Sequence, residues 1–261
     1  MAELEYQDFS SLLEKGHEAI RSEQYEEAVS AYKETIRLKP DCAEAHLGLG
    51  VCYGKLNRLE ESMIACKEAV RLEPENAEAH FYLGVPYAKL GRNEEAIRPL
   101  MMAIRLEPDL AEAHFWLGLS YGSLGRYKEA ARAHRKAIHL EPDNADAHFY
   151  LGVAYLGTNN LYDAEEQYQI LEGLDRELAN KLLNLIDKTL ESVETGETSF
   201  TNAIIKQCPY CGYKASVKHF GTWEKGGERG LLGKTPEGFI MFLCPQCKNH
   251  IKYDPVSDEF S

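Results

Sequence analysis

The 261 residues are 44% hydrophobic and 27% charged, proportions of a folded chain rather than a disordered one. The net charge of −13 is uneven: residues 201–261 carry eight Lys/Arg against six Asp/Glu, net +2, which leaves −15 on residues 1–200. That imbalance excludes a duplex-binding surface on the first 200 residues, where phosphate neutralisation would need clustered cations. No run approaches the roughly 20 consecutive apolar residues of a membrane-spanning helix, and the acidic start MAELEYQDFS lacks the basic head and apolar stretch of a signal peptide. The expected location is cytoplasmic, without membrane contact.

The chain repeats itself. Pro40, Pro74, Pro108 and Pro142 stand 34 residues apart, each closing an R-L-K-P, R-L-E-P or H-L-E-P run. AEAH or ADAH follows each, then Leu-Gly-x-x-Tyr: Leu49-Gly50-x-x-Tyr53, Leu83-Gly84-x-x-Tyr87, Leu117-Gly118-x-x-Tyr121 and Leu151-Gly152-x-x-Tyr155. Each unit shows an apolar 3.6-residue period broken once, as at Leu124-Gly125-Arg126, which predicts two helices and a turn. The glycine of Leu-Gly and the small residues Ala28, Ser62, Ala96, Ala130 and Ala164 let the two helices approach. One such hairpin cannot bury its apolar face alone, so neighbours must stack. Five units are expected, over 9–40, 43–74, 77–108, 111–142 and 145–173. The first is degenerate, with Lys15 and Ala19 where the others have Leu and Tyr. The fifth lacks the terminal proline and is expected to run on into a capping helix that carries the stripe Leu178, Leu182, Leu185, Ile186 and Leu190, completing an all-α region over 1–192. Pro86 and Pro99 fall inside the predicted helices of the third unit, where each is expected to remove a backbone hydrogen bond and kink its helix, at roughly 3 kcal/mol if nothing compensates.

A 34-residue period with this signature resembles the tetratricopeptide repeat family. The resemblance implies a right-handed solenoid whose first helices line a concave groove for a peptide or protein partner. The groove positions it implies are Leu47, Phe81, Phe115 and Phe149, one turn on Val51, Val85, Leu119 and Val153, and at the margin Glu44, Glu78, Glu112 and Asp146. Such a groove is an apolar ladder with an acidic edge, suited to a peptide with apolar anchors and some basic residues. Members that grip a C-terminal carboxylate use Lys and Asn at inner positions occupied here by Leu, Phe and Val. The ladder residues read equally as packing between repeats. His46, His80, His114 and His148 recur once per unit; successive equivalents sit about 10 Å or more apart, too far to share one ion, so they read as packing residues. Cys42, Cys52 and Cys66 read as small core residues.

Residues 193–203 are polar and read as a linker. Beyond it, Cys208-Pro-Tyr-Cys211-Gly and Cys244-Pro-Gln-Cys247-Lys place two CxxC turns in one segment, and four thiolates from two such turns can close a tetrahedron around a metal. Alternating runs at 213–217, 238–243 and 250–253 predict short strands, so residues 204–261 resemble a zinc ribbon, a β-rich module with one structural Zn2+ on Cys208, Cys211, Cys244 and Cys247. Rubredoxin iron also uses Cys-Pro-x-Cys-Gly turns; here Lys248 replaces the second glycine, and zinc is preferred. All-thiolate ligation leaves no open position for a catalytic water. The insertion 219–238, with six glycines, Trp223 and the cations Lys225, Arg229 and Lys234, is the one place suited to nucleic acid, and reads equally as a solvated loop. No nucleophile motif, phosphate loop or helix-borne metal-hydrolase pair occurs. The expectation is a non-enzymatic protein-interaction scaffold with a structural zinc module. The alternatives are a regulator touching RNA or DNA through the ribbon, or an iron electron carrier.

Overall fold

Two features set where each helix stops. A residue in the left-handed region sits in every hairpin turn at the same place in the repeat, Glu23, Asn57, Gly91, Gly125 and Asn159, with φ between 57° and 73°. Glycine at 91 and 125 adopts it without the steric cost that Cβ imposes elsewhere. Proline then closes four of the five repeats. The computed structural model describes the backbone of residues 2–194 and of short strands within 205–260, and the side chains of residues 9–189.

The helices are α1 (Ala2–Arg21), α2 (Tyr25–Leu38), α3 (Ala43–Lys55), α4 (Leu59–Leu72), α5 (Ala77–Lys89), α6 (Asn93–Leu106), α7 (Ala111–Ser123), α8 (Tyr127–Leu140), α9 (Ala145–Gly157), α10 (Leu161–Leu174) and α11 (Arg176–Glu194). They form the expected helical solenoid of five hairpins, each packed on the next, within one compact unit, Met1–Thr189. Two details differ from expectation. Helix α1 begins at Ala2, ahead of the unit expected from residue 9. The fifth hairpin does not run on into the capping helix: Asp175 breaks the chain there, its Oδ1 accepting from the backbone N–H of Glu177 and Leu178, an N-cap for α11. Helices α5 and α6 run through Pro86 and Pro99 at 13 and 14 residues, the lengths of their counterparts. Both prolines are buried, so packing on either side holds helices that would be weak alone.

Within a hairpin the two helices touch through glycine. Gly84 faces Leu100 and Gly118 faces His134, where an added Cβ would lie 2.6 Å from the opposing side chain. Gly16 against Tyr32 and Gly50 against Cys66 are equally close. Four second-helix residues, one per repeat, thus fill the same slot. In the fifth repeat the side chain at Gly152 is Leu182 of α11, while Tyr168 turns its hydroxyl to donate to Glu172 at 2.7 Å. Leu182 and Ile186 are buried, as the stripe required, and so is Ala179.

The second unit, Leu190–Ser261, contains β1 (Ile205–Gln207), β2 (Lys214–Ser216), β3 (Glu224–Lys225), β4 (Glu228–Arg229), β5 (Ile240–Leu243), β6 (His250–Asp254) and β7 (Glu259–Phe260). The pairs β1–β2, β3–β4 and the sheet β5–β6–β7 are antiparallel, with Gln207 opposite Lys214 and Leu243 opposite His250. Cys208, Cys211, Cys244 and Cys247 lie outside the described residues.

The glycine slot predicts opposite outcomes for one substitution. Gly84→Ala forces a methyl into Leu100 and is expected to cost about 1–3 kcal/mol. Gly122→Ala, whose nearest neighbour would be the Ala130 methyl at 3.9 Å, is expected to gain about 0.5–1 kcal/mol from helix propensity. Thermal denaturation followed by circular dichroism reads both.

Candidate protein-binding groove

The first helix of each repeat touches the first helix of the next, in the pairs α1–α3, α3–α5, α5–α7 and α7–α9. No comparable contact joins successive second helices among the described residues. A stack whose elements crowd on one side curves towards that side, so the inner face belongs to α1, α3, α5, α7 and α9.

On that face Phe81, Val85, Phe115, Leu119, Phe149, Val153 and Val51 are half-buried, apolar surface left open to solvent. Leu47 differs. It is buried against Ala69 and Ala79, with Val51 and Tyr82 beside it, and serves the joint between repeats. Glu44, Glu78, Glu112 and Asp146 are exposed along the margin.

The face is more aromatic than the ladder expected from sequence. Tyr82, Trp116 and Tyr150, each one residue beyond a ladder phenylalanine, lie in it as well. Phe81 meets Tyr82 edge-on at 5.1 Å and Phe149 meets Tyr150 at 5.2 Å. Phe115 contacts Trp116 at 6.0 Å and, across the joint between repeats, Tyr150 at 5.9 Å. Phe115 therefore packs onto its neighbour while staying partly open. Lys89 sets its ammonium 5.7 Å from the Trp116 ring centroid, a cation–π contact. The signal was available, since these aromatics recur at the 34-residue period, with Gly48 in their place in the second repeat. Gly48 is there because the Tyr32 ring already fills the space.

Across the hairpin turns the two helices of a repeat are joined by a latch that sequence reading missed. The guanidinium of Arg58 lies 4.5 Å from the Tyr53 ring, Arg92 4.8 Å from Tyr87 and Arg126 4.5 Å from Tyr121. The same arginines donate to Glu61, Glu95 and Glu129, one turn on. Each hydrogen-bonded arginine holds its carboxyl below the usual range.

The histidine ladder has a structural task. Nε2 of His46, His80, His114 and His148 lies 2.9 Å from the carbonyl oxygen of Pro40, Pro74, Pro108 and Pro142, so each donates to the end of the preceding repeat. Nδ1 of His148 stands 2.8 Å from the side-chain Oε1 of Gln167. No group of three His, Cys, Asp or Glu able to hold a metal occurs among the described residues. Cys42, Cys52 and Cys66 are free and buried, and burial pushes the thiols of Cys52 and Cys66 up to about 11 and about 12.

A curved stack of five helical hairpins with an open aromatic inner face is a tetratricopeptide-repeat protein. Residues 2–180 match the family described as the cilia and flagella-associated protein 70 C-terminal domain, and the chain belongs to that family. Solved structures agree on the fold. A crystal structure of MamA is 25% identical, covering 75% of this chain and 98% of its own, with a TM-score of 0.56. MamA of Desulfovibrio magneticus RS-1 is 21% identical over 65% of this chain and 96% of its own, at 0.61. YrrB, described as a TPR protein with an unusual peptide-binding site, is 24% identical over 66% of this chain and 90% of its own, at 0.60. No curated protein matches the chain. Among the described residues no helix is long and apolar enough to cross a membrane.

Beneath the aromatic face lies a titratable group that burial controls. His134 is 1% exposed, packs 5.6 Å from the Phe115 ring and 5.9 Å from Tyr150, and its Nδ1 has no hydrogen-bond partner among the described residues. Desolvation pushes its pKa down to about 4. An unfolded histidine takes a proton near pH 6.5, so the unfolded state binds the extra proton between about pH 6.5 and pH 4 and stability falls as pH drops through that window. The loss contributed by this one side chain is about 3 kcal/mol. His134→Leu, which places here the residue found at position 100, is expected to flatten the decline in melting temperature below pH 6.5.

Proposed function

We propose that the chain is a protein-interaction scaffold that takes a partner segment along the inner face of its helical repeats. The observation that carries this is the run of half-buried aromatic and aliphatic side chains from Phe81 to Val153 on α5, α7 and α9. Their second-helix counterparts at the glycine slot, such as Leu100 and His134, are buried. A folded protein leaves a contiguous apolar stripe open where something else covers it, and an extended or helical segment with apolar anchors matches its shape. The peptide-binding site attributed to YrrB, a protein of the same fold, supports the reading. No catalytic constellation stands out in the repeats: the ladder histidines His46, His80, His114 and His148 each donate to a backbone carbonyl, and burial keeps Cys52 and Cys66 protonated. The chain then acts by binding, in the cytoplasm, without a membrane contact.

A combined Phe81→Ala and Phe115→Ala variant is expected to lose a captured partner's affinity by tenfold or more, about 1.4 kcal/mol per factor of ten, while remaining helical. Unchanged affinity, measured by titration with the purified partner, would reduce the aromatic ladder to packing.

The C-terminal residues carry the second part of the proposal, a structural zinc module held by Cys208, Cys211, Cys244 and Cys247. Its support is the way the strands bracket the cysteines. Antiparallel β1 and β2 flank the segment 208–213, and β5 and β6 flank 244–249, so each CxxC pair falls between two paired strands. Four soft thiolates suit zinc or iron; a segment this small has little core of its own, and a metal supplies the missing stability. Elemental mass spectrometry of the purified protein is expected to give about one zinc per chain and no visible colour. Iron with strong visible absorption would instead make the module an electron carrier.

A further inference from the structure

Each aromatic pair on the inner face joins a phenylalanine to a ring that carries a hydrogen-bond donor: Phe81 with Tyr82, Phe115 with Trp116, Phe149 with Tyr150. The two rings of a pair stand close to perpendicular, at 69°, 77° and 79°. None of the three donors is used: Tyr82, Trp116 and Tyr150 make no hydrogen bond through their side chains among the described residues. Nor are they sealed in. Among the described residues that are buried or half-buried, only the Tyr32 hydroxyl and Nδ1 of His134 are both covered and unpartnered. The Tyr82 hydroxyl and the Trp116 N–H therefore face solvent, and Tyr150 is 37% exposed. A ring with an apolar body and a free polar tip is the kind of surface that a partner covers.

An occupant must match both the donors and their spacing. The ring centroids of Trp116 and Tyr150, which hold equivalent positions in adjacent repeats, lie 6.0 Å and 5.9 Å from that of Phe115. These equivalent rings thus stand within about 12 Å of each other. A polyproline II segment rises about 3.1 Å per residue with three residues per turn, so one of its faces recurs every ~9 Å. It makes no internal hydrogen bonds, which leaves every carbonyl oxygen free to accept. An α-helical segment bonds its carbonyls within itself and leaves the three donors unmatched. A β-strand presents the same face about every 6.6 Å, short of the repeat. Proline rings also dock well on aromatic-lined grooves.

We propose that the inner face of α5, α7 and α9 seats a proline-rich partner segment in the polyproline II conformation, with a proline ring at each aromatic pair and carbonyl oxygens accepting from Tyr82, Trp116 and Tyr150. This rests on the groove reading above and deepens it by naming the conformation and chemistry of the occupant. Every third residue of the segment meets a successive repeat, so about seven residues span the three pairs. Such a segment is stiff before it binds, and little ordering entropy is lost on docking.

The experiment uses the full chain and two labelled peptides with the same polar tail, one of three Leu-Pro-Pro units and one of three Leu-Ala-Ala units. Binding is followed by fluorescence anisotropy at protein concentrations up to about 1 mM. The proline peptide is expected to bind at least about tenfold more tightly than the alanine peptide. Tyr82→Phe with Tyr150→Phe keeps the rings and removes two donors, and should weaken the proline peptide by about tenfold. Tyr162→Phe, at an exposed tyrosine of α10, should shift it by less than about twofold. Proline-peptide binding that is unchanged by the loss of the two hydroxyls, or by Phe81→Ala with Phe115→Ala, overturns the inference. If both peptides bind alike and both are lost with Phe81→Ala and Phe115→Ala, the groove stands and the polyproline occupant does not. If neither binds, the inference falls, and the groove itself is judged by titration with the captured partner.

Discussion

In four repeats one side chain of the second helix lies directly against a glycine of the first, and the rest of the stack depends on that contact. It brings the helix axes close enough for the small residues at 28, 62, 96 and 130 to be completely covered. It also sets the terms for whatever occupies the slot. Tyr32, Cys66, Leu100 and His134 differ in size and chemistry, yet all are almost free of solvent, so an occupant must be uncharged. Burial enforces this where the chemistry would allow otherwise: the Cys66 thiol is pushed up and the His134 imidazole down, both towards the neutral form. Size is more loosely constrained, because the neighbouring repeat adjusts. The Tyr32 ring is large enough to reach Gly48 of the following helix.

The two faces of the repeats are finished differently. At the hairpin turns tyrosine, arginine and glutamate close on one another in each of the three central repeats, and the ladder histidines tie each repeat to the proline carbonyl before it. Polar groups there are satisfied within the chain. On the inner face the aromatics meet edge-on but keep solvent-facing surface. This difference, more than the fold alone, motivates a binding role, since the same fold could have buried its aromatics.

The helical architecture was legible in the sequence because a 34-residue period constrains every helix at once. The period also carries the helices of the third repeat through Pro86 and Pro99 at full length, where local preference taken alone would weaken them. The break at Asp175 was hidden because apolar spacing runs on past it, and the cap depends on one carboxylate meeting two backbone N–H groups. The inner face was half legible. The phenylalanines stand out beside the repeated histidines, whereas Tyr82, Trp116 and Tyr150 have no fixed residue type and fall next to the Leu-Gly signature of the core. The latch escaped because Tyr53, Arg58 and Glu61 span two helices and meet only when the hairpin closes. The paired cysteines of the C-terminal segment are visible in sequence through spacing alone; the flanking strands add that each pair falls between two antiparallel neighbours.

The replacement at Gly152 has a topological consequence. In the earlier repeats the slot is filled from within the hairpin; in the last it is filled by Leu182, a residue of α11. The final hairpin is thus completed by an element that is not itself a repeat, and α11 turns a structure that could be extended indefinitely into one with a defined length. Stack length is written into a single leucine as much as into the number of repeats: a chain ending at Leu174 would present an open slot and an apolar end, a template onto which the first helix of another molecule could add. Polymerisation is the default of a periodic stack, and α11 is the stop.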